Sequence, residues 1–129
     1  MSSSTLSNEL RRFISRIVSI PHLETMLLLQ QAPEQVWNVS SVAQRIYVSQ
    51  TQAAIMLKDL CEAGICKSIV DSPGEFIYSP INLGLGTLIN ELAEYYPRNL
   101  IQVTNMVHAK SASRRAQMFA DAFKLNKDK

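Results

Sequence analysis

Side chains suited to catalysis or to metal binding are few in this chain, and they lie far apart in the sequence. The two histidines are His22 and His108, and the two cysteines are Cys61 and Cys66. Because neither histidine has a cysteine nearby, a zinc site is not expected, and no Ser-His-Asp or Cys-His order is credible. The Gly-Leu-Gly sequence at residues 84–86 is too short for a phosphate-binding loop. We therefore expect no enzymatic activity, no cofactor and no metal.

The composition is that of a folded protein with one hydrophobic core. Of the 129 residues, 47% are apolar and 19% are charged, which is typical of a globular domain and not of a disordered chain. No apolar run is long enough to cross a bilayer, and the polar N-terminus differs from a secretory signal. The two cysteines lie in apolar surroundings, which indicates reduced, buried thiols. These features predict a cytoplasmic protein with no membrane partner.

The net formal charge of +2 hides an uneven distribution along the chain. Residues 1–20 carry a net charge of +2 and residues 81–129 one of +3, whereas residues 21–80 carry three basic and six acidic groups. The densest basic cluster consists of Lys110, Arg114 and Arg115. Such a cluster can embrace DNA or an acidic protein, and it can equally be a solvated tail that keeps the chain soluble.

Apolar residues recur at steps of three and four near the N-terminus and predict two helices. The first covers residues 6–18 and ends near Ser19, because Pro21 restricts the residue before it. Pro21 opens the second helix, which continues until Pro33 stops it. Trp37 lies in the connection that follows, where we expect it to plug the core between the helices.

A long amphipathic helix is predicted over residues 81–110. Its apolar residues are spaced 4, 3, 4, 4, 3 and 4 positions apart, close to the period of a straight helix. Pro97 lies inside this pattern and is expected to kink or break the helix. The apolar face needs cover from the N-terminal helix, from a second chain or from both, so a homodimer is expected. The candidate dimerisation residues are Leu85, Ile89, Leu92, Tyr96, Leu100, Val103 and Val107.

The middle of the chain, residues 39–80, reads as a short helix, a turn, a longer helix and a β-hairpin. Ser40 is predicted to cap the short helix and Ser49 the longer one, because serine oxygens accept hydrogen bonds from free backbone N–H groups. Gly64 follows the longer helix and is predicted to close it in the left-handed conformation. The hairpin is predicted from strands over residues 65–70 and 76–79, with turn residues at 71–75.

Residues 39–80 resemble the winged helix-turn-helix superfamily of prokaryotic transcription regulators; their sequence is VSSVAQRIYVSQTQAAIMLKDLCEAGICKSIVDSPGEFIYSP. The resemblance is closest to small regulators, of the phenolic-acid and multiple-antibiotic-resistance types, in which a long C-terminal helix pairs two subunits. It implies a mainly α fold with a small β-hairpin wing, an α+β class. The implied organisation is an N-terminal helix at 1–20, a winged helix-turn-helix domain at 21–80, a long C-terminal helix at 81–110 and a basic, aromatic tail at 111–129.

In such regulators the helix that follows Ser49 enters the major groove of double-stranded DNA. The resemblance therefore implies a DNA-binding transcription regulator without catalytic activity. The implied base-reading residues are Gln50, Thr51, Gln52, Ile55 and Lys58, and Ser49 beside them is a further candidate for DNA contact. The basic residues available for the DNA backbone are Arg45, Lys110, Arg114 and Arg115. Glutamine can pair with adenine through two hydrogen bonds, and threonine can contact the methyl group of thymine.

The charges leave other functions open. Asp59 and Glu62 accompany the single lysine of the presumed reading helix, and Asp71 and Glu75 lie at the presumed wing tip, where they would repel phosphates. A winged helix that binds another protein and not DNA is therefore an alternative. A minor third possibility is a ligand sensor with an apolar pocket near Trp37, Tyr95 and Tyr96.

Overall fold

The structure is a computed structural model and describes residues 6–109. Its first half contains helices α1 (Asn8–Ser15) and α2 (Ile20–Gln31), the short strand β1 (Trp37–Asn38), and helices α3 (Val39–Ile46) and α4 (Gln50–Glu62). Strands β2 (Cys66–Ile69) and β3 (Ser72–Tyr78) follow, then helix α5 (Leu83–Arg98) and a further helix, α6, at residues 100–109. The described part is thus mainly helical with a small antiparallel sheet, which confirms the predicted α+β class.

Polar side chains determine where helices α1 to α5 begin. In each case a side-chain oxygen accepts a hydrogen bond from the backbone N–H three residues later; the capping residues are Ser7, Ser19, Asn38, Ser49 and Asn82. The predicted cap at Ser49 is confirmed, whereas the predicted cap at Ser40 is wrong. Asn38 caps α3 instead, because its Oδ1 accepts from the Ser41 N–H at 2.7 Å while Ser41 Oγ accepts from the Asn38 N–H at 2.9 Å. This reciprocal pair satisfies two backbone N–H groups at once.

A continuous hydrophobic core draws side chains from every helix of the described chain. Its fully buried members include Ile14 of α1, Leu23 of α2, Val42 of α3, Leu57 of α4, Ile89 of α5 and Val103 of α6. Trp37 is also buried in this core, which confirms its predicted position as a plug. Full burial of one aliphatic side chain stabilises the fold by about 1.5–3 kcal/mol. This shared core, more than helix propensity, therefore holds the short helices in place.

The sheet has the strand order β1-β3-β2, and both pairings are antiparallel. The predicted hairpin is confirmed, but its predicted bounds are wrong. The turn is confined to residues 70–71 and β3 begins at Ser72; a register shift between Ser68 and Ile69 and the left-handed Gly74 (φ +86°) take up the residues expected in a longer turn. Strand β1 is absent from the predicted elements, because two residues show no alternation to detect.

The end of α4 is fixed by Gly64, which adopts the left-handed conformation with φ +82° and so confirms the prediction. A Cβ at this position would lie 2.9 Å from Cγ2 of Ile81, so a side chain would also meet a steric clash. The Ile81 N–H donates to the Gly64 carbonyl at 2.8 Å, which holds the chain after β3 against the end of α4. Gly64 therefore sets the direction in which the hairpin leaves α4.

Two helices take the place of the single long helix predicted over residues 81–110. Helix α5 ends at Arg98, Asn99 is not helical, and α6 begins at residue 100. Pro97 lies in the last turn of α5, where it has no N–H to donate to the carbonyl four residues earlier, so the helix is weakened close to its end. Asn99 Nδ2 donates to the Tyr95 carbonyl at 3.0 Å and satisfies one acceptor that the helix end leaves free. Within residues 6–109, no helix is long and apolar enough to cross a membrane.

The two thiols lie where α4 gives way to β2, with 3.4 Å between their Sγ atoms. Neither forms a disulfide; Cys66 is buried and Cys61 is half-buried. Burial, more than the neighbouring Cys61, raises the pKa of the Cys66 thiol well above its ordinary value. Because the thiolate is the reactive form, Cys66 is a structural residue with little nucleophilic character near neutral pH.

Candidate nucleic-acid interface

Helices α3 and α4 are joined by three residues, 47–49, and this short connection fixes α4 against α3. Tyr47 adopts the left-handed conformation with φ +65°, and the N–H groups of Tyr47 and Val48 both donate to the Ala43 carbonyl, at 2.9 and 3.1 Å. Ala43 and Ala53 are buried, and their small side chains let the two helices approach closely. The Tyr47 side chain is left 91% exposed at the turn. Helix α4 therefore begins at the surface of the molecule.

The base-reading candidates lie together on the solvent side of α4. The opposite side of the helix is buried through Ala53, Met56, Leu57 and Leu60. The α4 outer face consists of the exposed residues Gln50, Thr51, Gln52, Ile55 and Lys58. Ser49 is exposed as well, but its Oγ accepts from the Gln52 N–H at 3.1 Å and serves as the helix cap. The structure thus brings five of the six candidates into one surface and gives the sixth a structural task.

The turn of the β2–β3 hairpin is a second exposed surface. Val70 at the turn is 93% exposed, and Asp71 beside it is exposed too. Lys67 on β2 also faces solvent, whereas Glu75 on β3 is half-buried. The turn region therefore carries opposite charges beside an apolar side chain, and it lacks the run of basic residues that a strong phosphate contact would need.

Arg45 lies in the last turn of α3 and is exposed. Its guanidinium carbon lies 5.7 Å from the centroid of the Trp37 ring, within the range of a cation–π contact. The ring is buried, so the contact holds the Arg45 guanidinium near the start of β1. Arg45 is thus an exposed cation on the helix that precedes α4, with its guanidinium over an aromatic ring.

Asp59 does not belong to the α4 outer face. Its Oδ2 lies 2.9 Å from His22 Nε2 on α2, and we call this contact the His22–Asp59 bridge. From the sequence, Asp59 is one of the charges expected to repel DNA, but in the structure it is turned towards α2. Glu62, one turn beyond Lys58, remains exposed near the end of α4. The acidic charge near the candidate interface is therefore smaller than the sequence indicates.

The His22–Asp59 bridge is part of a hydrogen-bonded Ser-His-Asp chain, an arrangement that is not expected from the sequence. Ser19 Oγ lies 2.7 Å from His22 Nδ1, so Ser19, His22 and Asp59 are connected in one line. Ser19 Oγ also accepts from the His22 N–H at 3.3 Å as the cap of α2. The contact of Asp59 with a residue 37 positions away has no sequence signal. We interpret the chain as structural, because the serine oxygen is committed to the helix cap.

The candidate dimerisation residues form the apolar stripe of α5 and α6: Leu85, Ile89, Leu92, Tyr96, Leu100, Val103 and Val107. Four of them, namely Ile89, Leu92, Val103 and Val107, are fully buried within the single chain. Leu85 and Tyr96 are half-buried, and Leu100 is 52% exposed. The chain therefore covers most of this stripe itself. Ile101, next to Leu100, is 75% exposed and extends the uncovered part.

The structure gives no contacts for the C-terminal basic candidates and no cluster of side chains that could hold a metal within residues 6–109. Lys110, Arg114 and Arg115 lie outside the described residues, as does the whole segment 111–129. Among residues 6–109 there is no group of three or more histidine, cysteine, aspartate or glutamate side chains placed to hold a metal ion. Comparison of the chain with protein-family models, with curated proteins and with solved structures finds no match in any of the three.

Proposed function

We propose that this protein is a DNA-binding transcription regulator of the winged helix-turn-helix kind. The observation that carries the proposal is the α4 outer face. It consists of five exposed side chains, starts at the N-terminus of α4, and lies opposite the buried side of that helix. A short connection to α3 and a β-hairpin with an exposed turn after α4 match the order of elements that such regulators use. In this proposal α4 is the reading helix and the β2–β3 hairpin is the wing.

The chemistry of the α4 outer face suits base edges better than it suits phosphates. Gln50 and Gln52 carry amides, which pair with adenine through a donor and an acceptor. The methyl groups of Thr51 and Ile55 suit the thymine methyl group. Backbone contacts then come from Arg45 at the end of α3 and from the first N–H groups of α4. The proposed interface is polar and weakly charged, so it depends more on base contacts than most DNA-binding surfaces do.

The charge balance in this proposal is improved by the His22–Asp59 bridge. An Asp59 carboxylate directed towards DNA would repel its phosphates. The imidazole of His22 instead donates to it or pairs with it as a cation, and the contact directs the carboxylate away from the α4 outer face. Glu62 and Asp71 remain as repulsive groups, and they predict weak affinity for DNA of random sequence.

The regulator is proposed to act as a homodimer, since paired recognition helices double the number of contacts to a symmetric site. The uncovered part of the apolar stripe, at Leu100 and Ile101, is the surface proposed for the contact between copies. These two neighbouring residues are 52% and 75% exposed. A pair of exposed apolar residues at the start of α6 offers a small area, and a stable dimer needs additional cover around it.

The test is a fluorescence-anisotropy titration of the full chain with duplex DNA of random sequence, at low salt and then at rising salt. We expect weak binding whose logarithm falls linearly with the logarithm of salt concentration. Replacing Lys58 with Gln should reduce the slope by about one, because one phosphate contact is lost. Arg98→Gln, at the end of α5, is the matched control and should leave the slope unchanged. Absence of binding at low salt would contradict the proposal.

A second candidate function, binding of another protein, is favoured by the apolar groups around the same surface. Tyr47 and Val70 are almost fully exposed, and Ile55 between the ends of α4 is more than half exposed. Exposed tyrosine and aliphatic side chains are typical of protein contacts. The anisotropy titration separates the two functions, because a protein-binding surface with Glu62 and Asp71 at its edge is not expected to bind DNA even at low salt.

A further inference from the structure

A partly enclosed cavity of about 380 Å³ lies between α1, α2, α4 and α5. This volume falls within the range of about 300–1,000 Å³ that is usual for small-molecule sites. The walls are mainly apolar and include Phe13, Ile17, Met26, Leu60 and Leu88. Neither Trp37 nor Tyr95 nor Tyr96 lines this cavity, so it is distinct from the ligand pocket considered near those residues from the sequence.

Three polar side chains, Arg16, His22 and Asp59, interrupt the apolar lining. His22 has no capacity left for a ligand, because Nδ1 contacts Ser19 Oγ and Nε2 contacts Asp59 Oδ2. The other carboxylate oxygen of Asp59, Oδ1, has no hydrogen bond within the described residues. The Arg16 guanidinium has no carboxylate within 4.0 Å among these residues. The cavity is therefore lined by one available acceptor and one available donor group.

The opposite charges of these two groups disfavour a ligand that carries a single charge. A carboxylate held by Arg16 would meet the anionic Asp59, and an amine held by Asp59 would meet the cationic Arg16. A hydroxyl group carries no charge and both donates and accepts, so it can satisfy both side chains. We propose that this cavity is a binding site for a small, uncharged, largely apolar alcohol or phenol. Its hydroxyl donates to Asp59 Oδ1 and accepts from Arg16, and its apolar body lies against Phe13 and Met26.

The site is separate from the α4 outer face, although both use α4. The residues of α4 that line the cavity are Asp59, Leu60 and Ala63, and none of them belongs to the outer face. Binding of the alcohol can therefore be measured without DNA, and its result does not depend on whether the protein binds DNA. The ligand would touch the same Asp59 carboxylate that forms the His22–Asp59 bridge, so it would act on a contact that holds α4 to α2.

The experiment compares three probes that share one apolar body: 2-phenylethanol, phenylacetate and 2-phenylethylamine. The full chain is labelled at the methionine methyl groups, and each probe is titrated while the methyl resonances are followed by NMR. Met26 lines the cavity and Met106 on α6 does not. We expect 2-phenylethanol to move the Met26 resonance and leave that of Met106 in place. The two charged probes should bind about fivefold more weakly or worse, since each loses one hydrogen bond and gains a repulsion.

Two substitutions locate the site and test its polar groups. Ala63→Phe places a ring at the cavity wall and should abolish the Met26 response to 2-phenylethanol. Ala54→Phe, at an exposed position of α4 outside the cavity, is the matched control and should preserve it. Arg16→Met keeps a straight side chain at an exposed position without its donors, and should weaken 2-phenylethanol binding about fivefold. Should Ala63→Phe fail to fold, the Arg16 variant and the probe ranking decide the outcome.

The proposal is overturned by any of three results. In the first, none of the probes moves the Met26 resonance. In the second, phenylacetate or 2-phenylethylamine binds more tightly than 2-phenylethanol, which would assign the cavity to an anion or a cation. In the third, folded Ala63→Phe responds to 2-phenylethanol as the unaltered chain does, which would place binding elsewhere. None of these results bears on DNA binding, which the anisotropy titration measures separately.

Discussion

The α4 outer face and the apolar stripe of α5 and α6 differ in what surrounds them. The outer face is open to solvent along its length, and the residues behind it are buried. The stripe is apolar, yet four of its seven residues are fully buried by the rest of the same chain. An exposed polar surface on a well-packed helix is free to bind something else. An apolar stripe already covered by its own chain contributes to folding, and only its uncovered remainder is free to bind a partner.

The largest expected effect is at the buried part of the stripe. Leu92→Ala should lower the free energy of unfolding by about 2–5 kcal/mol, because it removes a fully buried side chain and leaves a cavity. Leu100→Ala is the matched control and should cost far less, since Leu100 is about half exposed. Urea denaturation followed by circular dichroism measures both. Equal and small effects for the two variants would mean that the stripe is not part of the chain's own core.

The next effect concerns the α4 outer face. Gln52→Ala should reduce discrimination between the preferred DNA site and a mismatched one by about 1–3 kcal/mol, while non-specific binding persists. Gln31→Ala, at an exposed position at the end of α2, is the control and should leave the discrimination intact. The measurement is anisotropy with DNA sequences selected from a random pool. Unaltered discrimination in Gln52→Ala would mean that α4 is not the helix that reads the DNA sequence.

Loss of the α3 cap should have a smaller effect on the free energy of unfolding. Helix α3 packs against α4, whose outer side carries the candidate DNA-reading residues. Asn38→Ala should destabilise the chain by about 1 kcal/mol, because the hydrogen bond from the Ser41 N–H to Asn38 Oδ1 is lost. Ser40→Ala should be nearly neutral, because the Ser40 side chain caps nothing here. Thermal denaturation of the two variants compares them directly. A larger loss of stability in Ser40→Ala than in Asn38→Ala would mean that Ser40 caps α3, as predicted from the sequence.

The sequence predicts features that depend on local chemistry and fails where distant residues decide. Ser49, Gly64 and Pro97 each act on the backbone within a few positions, so their effects can be predicted from neighbouring residues. The α4 outer face can be predicted for a related reason: a helical period separates one buried side from one exposed side. The period of the stripe likewise identifies an apolar face at Leu92, but it carries no information about which element covers that face.

Three features lie beyond sequence reasoning for the same physical reason. Strand β1 is defined by its partner on β3, and it is too short to carry a pattern of its own. The cavity is a space left between four helices, and no single segment encodes it. The His22–Asp59 bridge joins α2 to α4 across 37 positions. Each depends on how elements pack, and packing follows from the whole chain.

The smallest expected effect is at the His22–Asp59 bridge, which joins α4 to α2. A double-mutant cycle with His22→Ala and Asp59→Ala should give a coupling energy of about 0.5–1 kcal/mol, because Asp59 is partly exposed and water screens the contact. The same cycle with His22→Ala and Lys58→Ala is the control and should give no coupling, since Lys58 lies on the outer face. Urea denaturation of six proteins supplies the energies, since the two cycles share the unaltered chain and His22→Ala. Coupling near zero in both cycles would mean that α4 is held by its buried apolar side alone, with no contribution from this polar contact.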